Sequence, residues 1–377
     1  MRTSLARGRA RLYSLGIMTM LISSSLCWAQ AAAKPRMPAR LAIYYGYPSL
    51  VNGANGNVEN AAVAFSPYDV VVLGDGMEFT DHRADRFPAG DPGEHEKVVQ
   101  LIAAAKRRNP TIRFYGYVPL GDNQSLKPEQ IQERIRLWKP MGVAGIFLDE
   151  ASYDFKIVTR ERQNMAVGYV HQLGLGVLMN GYFLDHLFST GDNLPNSNGG
   201  PKNPKHLPPM LDKRDIFLLE SFQISNGNYE DAAHWSMRMK QATEYRRRYG
   251  ARIFAITTTT AAQPFDAQKF AYAWWSAWLY GVDGFAWGEP NFSASDNRLE
   301  DHRCQPGAPA GTAASEVSSD RSHFWTRADG SLVVLDSGNH SVHRIPFSAS
   351  MGQAKEVGSL LSSSSAKQDE RLSCGAR

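Results

Sequence analysis

From Arg40 onward, short runs of consecutive apolar residues alternate with stretches in which apolar residues recur every three or four positions. Runs that are apolar on both alternating faces fit strands covered on both sides, and the second pattern fits helices with one buried stripe. The runs are Leu41–Tyr47, Asp69–Leu73, Thr111–Val118, Ala144–Leu148, Gly176–Asn180, Ile216–Glu220, Arg252–Thr257 and Gly284–Trp287. Between them lie a short helix up to Ser66, a helix opening near Pro92 (Val98, Leu101, Ile102, Ala105) and one opening near Pro128 (Ile131, Ile135, Trp138). Further on come helices at Thr159–Leu173, stopped by Gly174, and at Tyr229–Tyr249, opened by Asn228 and closed by Gly250. A last one is capped by Asp266 and carries Phe270, Trp274 and Trp278. Proline in a first turn and glycine after a last turn are where helices accept them. Eight such units within about 250 residues predict an α/β fold, a (β/α)8 TIM-type barrel. An open doubly wound sheet is the runner-up, but the glycine fingerprint that such sheets use for dinucleotides is absent from the sequence.

Two regions break the repeat. Ser189–Arg214 is rich in Gly, Pro and Asn and is longer than most connections in compact domains, so it either folds over the site or stays loose. Beyond Glu300 the composition shifts to Pro, Ala, Gly and Ser, and then Ser331–Asp336 and Ser341–Phe347 predict a small C-terminal β-hairpin about Gly338-Asn339. One hairpin sustains no core of its own, so it is expected to pack on the barrel. The division is therefore 40–300 for the barrel and 301–377 for linker, hairpin and a loose tail.

The first residues read as a targeting segment. Arg2, Arg7, Arg9 and Arg11 precede the apolar, Ser-rich Leu15–Trp28, and Ala29-Gln30-Ala31 fits a small-x-small cleavage pattern. Cleavage after Ala31 predicts a secreted or periplasmic protein with no stable membrane insertion. Leu26 is too bulky for Cys27 to start a lipid-modified chain. Losing 1–31 removes four of the 41 basic residues and none of the 37 acidic ones, which leaves a near-neutral protein. No basic footprint for nucleic acid survives. Cys304 and Cys374 remain, and in an oxidising compartment a bond between them would close a loop of about 70 residues, worth roughly 4 kcal/mol. Sequence leaves open whether they meet. Two cysteines are too few for a Cys-based zinc site, and neither metal nor cofactor is expected.

In a parallel barrel, chemistry collects at the C-terminal strand ends. Those ends carry Tyr44 and Tyr45; Asp75; Tyr115 and Tyr117; Asp149 and Glu150; Asn180 and Tyr182; Glu220; and Trp287 with Glu289. Two apolar runs ending in acid, Gly145-Ile146-Phe147-Leu148-Asp149-Glu150 and Ile216-Phe217-Leu218-Leu219-Glu220, stand out, because an unpaired buried carboxylate costs several kcal/mol. Acids among flat aromatic rings suit a sugar polymer: rings stack on pyranose faces, and carboxylates act as acid, base or nucleophile. Each aromatic taken singly is better explained by packing than by substrate contact. Asp149 and Glu150 are neighbours, so strand alternation separates them unless the strand has already ended.

The segment Gly145–Ala151 resembles the strand-four signature of the spherulin-4-like glycoside hydrolases, with Gly116-Tyr117-Val118 and Leu219-Glu220 resembling two further strand ends. The resemblance spans roughly Leu41–Asn291, and only the first motif is specific. It implies a secreted barrel that cleaves α-1,4-linked galactosamine or N-acetylgalactosamine exopolysaccharide of biofilm matrix through Asp149, Glu150 and Glu220. The related endo-α-1,4-polygalactosaminidases share the fold, and Asp75 fits their pattern somewhat better. A monomer acting on polysaccharide is the expectation. The competing classes are a metal-dependent polysaccharide deacetylase, for which His340 and His343 make the only close histidine pair, and a non-catalytic carbohydrate-binding or matrix protein on the same barrel.

Overall fold

The computed structural model describes residues 37–81, 92–304, 318–319, 322–328, 331–346 and 370–374. The predicted signal segment and most of the predicted tail lie outside them. Six parallel strands come first: β1 (Ala39–Tyr44), β2 (Val70–Leu73), β3 (Arg113–Pro119), β4 (Gly145–Asp149), β5 (Gly176–Asn180) and β6 (Ile216–Leu219). A two-residue ribbon follows, β7 (Ile224–Ser225) with β8 (Asn228–Tyr229), and then the last barrel strands, β9 (Arg252–Ile256) and β10 (Gly284–Ala286). The eight long-range partners close in the order β1-β10-β9-β6-β5-β4-β3-β2, every pair parallel. The chain folds as a (β/α)8 barrel.

Helices α1 (Val58–Phe65), α2 (Pro92–Arg108), α3 (Pro128–Trp138), α4 (Arg160–Gln172), α5 (Leu184–Phe188), α6 (Ala232–Tyr249) and α7 (Ala267–Leu279) surround it. Their ends follow local chemistry. The Thr159 hydroxyl accepts from Arg162 N and the Asp266 carboxylate from Lys269 N, while Gly250 takes the left-handed conformation that ends α6. The start of α6 departs from expectation. Asn228 and Tyr229 pair with Ser225 and Ile224 instead, and Asp231 caps the helix.

Strand alternation builds two cores. Leu41, Ile43, Val70, Val72, Tyr115, Tyr117, Phe147, Leu178, Ile216, Leu218, Phe254 and Ile256 fill the barrel interior. The alternate residues, among them Ala42, Tyr44, Val71, Phe114, Ile146, Val177, Phe217 and Phe285, pack outward under the helices. Gly145 sits where a Cβ would meet the Tyr115 ring at 2.4 Å, so the lowest interior layer needs that glycine to admit the tyrosine.

The predicted hairpin is part of a larger unit. β13 (Ser331–Asp336) and β14 (Ser341–Pro346) are joined by β11 (Ser318–Ser319), β12 (His323–Ala328) and β15 (Glu370–Arg371) in an antiparallel sheet. Phe324, Val333, Leu335 and Val342 continue the main core, and the Phe324 ring lies 4.6 Å from that of Trp235 on α6. A Cys304–Cys374 disulfide ties the end of the barrel segment to the last sheet strand's exit. No helix among the described residues is long and apolar enough to cross a membrane.

Candidate active site

Alternation decides which strand-end residues reach the mouth. Tyr45, Tyr117, Asp149, Asn180 and Glu220 each lie two residues beyond an interior residue of their own strand: Ile43, Tyr115, Phe147, Leu178 and Leu218. Four of the five line one cleft of about 270 Å³, together with Glu150, Asp154, Phe155, Gly181, Tyr182 and Phe292. Tyr117 reaches the same place through its hydroxyl, which donates to Asp149.

The two acids are joined through β5. Asn180 Nδ2 donates to Asp149 Oδ1 at 2.9 Å and to Glu220 Oε2 at 3.0 Å. Two oxygens bonded to one nitrogen at these lengths lie no more than about 6 Å apart. Burial raises the Asp149 carboxyl above its ordinary range, and the Asn180 amide, the Glu150 backbone N–H and the Tyr117 hydroxyl pull it back. Burial also raises Glu220, where Asn180 opposes it, the negative Asp149 adds to it and Arg238 lowers it. Asp149 thus holds three donors, while the Glu220 carboxylate holds the one from Asn180.

Both acids are followed by a sharp turn. Glu150 has φ 52° and Ser221 φ 54°, a left-handed backbone that costs a non-glycine residue about 1–2 kcal/mol. Because β4 ends at Asp149, this turn lets Glu150 enter the same cleft, and strand alternation no longer separates the two carboxylates. Glu150 accepts from the Asn123 side chain, its other oxygen is buried without a protein partner, and it abuts Gly121. Burial raises its carboxyl as well, with Asn123 opposing and Asp149 adding.

Behind Glu220, Arg238 Nη2 donates to the Glu220 backbone carbonyl at 3.0 Å, and its guanidinium lies 4.4 Å from the Tyr182 ring centre. The loop after β4 is braced from outside. His186 Nδ1 accepts from Tyr153 N at 3.0 Å and Nε2 donates to Pro195 O at 2.7 Å, which fixes the neutral tautomer. Asn198 N donates to Tyr153 O and the Lys202 amine to Lys156 O. The Gly/Pro/Asn-rich segment 189–214 therefore buttresses the cleft wall and contributes none of the cleft's lining residues.

The other candidates sit elsewhere. Tyr44 is fully buried on the helix side against Phe65 and bonds Tyr47 O and Asn297. Tyr115 packs in the deep interior layer. Asp75 is engaged by Arg134 and Gln124 at the mouth's edge, outside the cleft lining. Trp287 and Glu289 line a separate cavity of about 280 Å³ on the β1–β10 flank, where Glu289 bonds His302 at 2.7 Å. Phe155, Phe292 and Arg238 were not singled out from sequence as site residues. The first two come from the connections after strands, where no periodicity marks direction. His340 stacks on Tyr229 at 3.6 Å in the C-terminal unit. Among the described residues, His171, Asp212 and Asp215 form the one cluster with metal-ligand spacing. Its central acid already accepts from Val177 N, Asp212 N and His171, so its oxygens are in use.

No protein-family model matches the chain, and no curated protein matches its sequence. Solved structures are similar to parts of the chain. An endo-beta-1,4-glucanase, Xac0029 from Xanthomonas axonopodis pv. citri, is 13% identical with TM-score 0.42 over 67% of this chain and 88% of its own. An exo-beta-1,4-mannosidase, Op5Man5 from Opitutaceae bacterium strain TAV5, is 12% identical with TM-score 0.42 over 72% of this chain and 59% of its own. Likeness of this size says nothing about activity.

Proposed function

We propose that this protein is a metal-independent, endo-acting glycoside hydrolase that cleaves α-1,4-linked galactosamine or N-acetylgalactosamine polymers. The observation that carries the reading is the acid pair bridged by Asn180 in an open cleft at the C-terminal rim. The nearer spacing of about 5 Å belongs to retaining enzymes and about 6.5–9.5 Å to inverting ones, so a pair within about 6 Å favours retention. The donors divide the roles. Asp149, with three, is the ionised nucleophile; Glu220, with one donor and beside a negative charge, keeps its proton as general acid.

In the first step Glu220 gives its proton to the glycosidic oxygen as the C1–O bond breaks, and an Asp149 oxygen bonds C1. Water then attacks C1, Glu220 takes the water's proton, and the Asp149 ester bond opens. Glu150 positions the sugar at C2. The choice of an amino sugar is supported by the lining: Asp149, Glu150, Asp154 and Glu220 face the cleft, and among the described residues no Lys or Arg lines it. The resemblance at Gly145–Ala151 points the same way. Secretion is supported by the N-terminal segment and by the Cys304–Cys374 bond, which suits an oxidising compartment.

The test is reducing-end release from a panel of galactosamine, glucosamine and mixed polymers at several degrees of acetylation, with the first-formed anomer read by NMR. Release from the galactosamine polymers with retained α-configuration is expected. Polymer binding without new reducing ends would leave a carbohydrate-binding protein, and an inverted product would remove the nucleophile role from Asp149.

A further inference from the structure

The side chain of Asn180 is committed in an unusual way. An amide nitrogen has two hydrogens, and here they meet one oxygen of Asp149 and one of Glu220. The reverse orientation of the amide would set its carbonyl against two carboxylates, so chemistry fixes which end faces the acids. Its Oδ1 is buried and has no protein partner.

We propose that Asn180 is a positioning residue: it fixes the separation of Asp149 and Glu220 and keeps the two carboxyls from sharing one proton. This rests on the hydrolase reading of the pair. Two carboxyl groups this close in a partly dehydrated cleft lower their repulsion by holding a single proton between them. A shared proton would give both acids the same half-charged state and spoil the division into nucleophile and acid. With an N–H aimed at each, the oxygens that face one another are already occupied.

The surrounding groups do not replace it. From β3, Tyr117 donates to Asp149, as does the Glu150 backbone N–H; from α6, Arg238 acts on Glu220; Asp75 after β2 adds negative charge, and none of these donors reaches both carboxyls. Tyr45, just after β1, stays protonated, its hydroxyl held far above the usual range by burial and by the nearby acids. Removing the bridging amide takes a donor from both carboxyls and lets them share a proton, and both effects move the pair's second deprotonation up.

The experiment uses Asn180→Ala and Asn180→Ser in the full chain, with circular dichroism to confirm folding. kcat and KM are followed against pH on the cleaved polymer, and the carboxyls are titrated in the free protein by 13C NMR. In Asn180→Ala, kcat is expected to fall about 10–100-fold with KM changed less than about threefold. The alkaline limb of the pH profile is expected to move to higher pH by about 1 on the pH scale. Asn180→Ser, with one donor left, falls between wild type and Ala, and carries the test alone should Ala not fold. A raised KM with unshifted limbs would make Asn180 a sugar-binding residue and overturn the proposal. The titration separates the two readings. A wild type that cleaves no polymer ends the hydrolase reading while the carboxyl titration is still measurable, and carboxyls that titrate as in wild type in folded variants end the positioning role even in an active enzyme.

Discussion

Two pairs of acids stand near the same rim of the barrel, and they are treated oppositely. Asp75 and Glu78, after β2, share one guanidinium: Arg134 bonds both, with Gln124 adding a bond to Asp75, and Glu78 is fully buried. Burial pushes the Glu78 carboxyl up to about 7, with Arg134 pulling against it. Asp149 and Glu220 share a neutral amide and line a cleft instead. Where a cation cancels the charge, an acid at a strand end is a brace. A neutral donor leaves the charge available, and only that arrangement has a surplus that a substrate can meet.

The largest effect that would sharpen this contrast is on turnover. Asp149→Asn and Glu220→Gln are each expected to lower kcat about 10³–10⁴-fold, as loss of a nucleophile or general acid does, with the far-ultraviolet spectrum unchanged. Asp75→Asn should stay within about tenfold of wild type. Equal loss in Asp75→Asn and Asp149→Asn would erase the distinction.

Stability should respond in the other direction. Arg134→Ala leaves Glu78 buried and Asp75 uncompensated, and removing one partner of a buried ion pair costs about 3–5 kcal/mol. Urea titration at neutral pH reads this as a lowered midpoint. A midpoint that does not move would mean that the Arg134 cluster braces nothing.

Tyr117 and Tyr44 make a smaller test of the same kind, since they differ in which side of a strand they occupy. Tyr117→Phe removes a donor from Asp149 and is expected to lower kcat about tenfold, while Tyr44→Phe, on the helix side, leaves kcat unchanged within twofold. Steady-state kinetics of the two variants, side by side, decide it.

That pair also shows how much was legible beforehand. The barrel was readable because eight two-faced apolar runs alternate with helical ones, and the acids at Asp149 and Glu220 because each ends such a run. Period two, carried through from Leu41 and Ile43 to Tyr45, already separates Tyr45 from Tyr44, and Trp287 falls outside by the same count from Phe285. The Arg134 bond to Asp75 was not legible, since it joins residues 59 positions apart through a side chain on a helix. Nor was the turn at Glu150, where a left-handed backbone at a non-glycine residue leaves no compositional mark. The C-terminal sheet was underestimated because β11 and β15 are two residues long, too short for alternation to show.

The smallest effect concerns pH. The folded-state carboxyl of Glu220 is raised, chiefly by burial, so the folded protein binds its proton more tightly than the unfolded chain does. As pH rises from the unfolded value near 4.3 through the raised folded one, the unfolded state gives up that proton first and stability falls. Below that window the group is protonated in both states and costs nothing. Glu220→Gln carries no such proton and keeps the bond from Asn180, so it should match wild type in acid and exceed it at neutral pH. The excess is about 1.4 kcal/mol for every tenfold by which folding tightens the hold on that proton. Arg134→Ala is already the less stable protein at neutral pH. Denaturant melts of wild type and Glu220→Gln at pH 4 and pH 7 give the answer: a gap that opens on going to neutral pH is expected, and a gap that is constant or reversed would mean that the donors around Glu220 outweigh its burial.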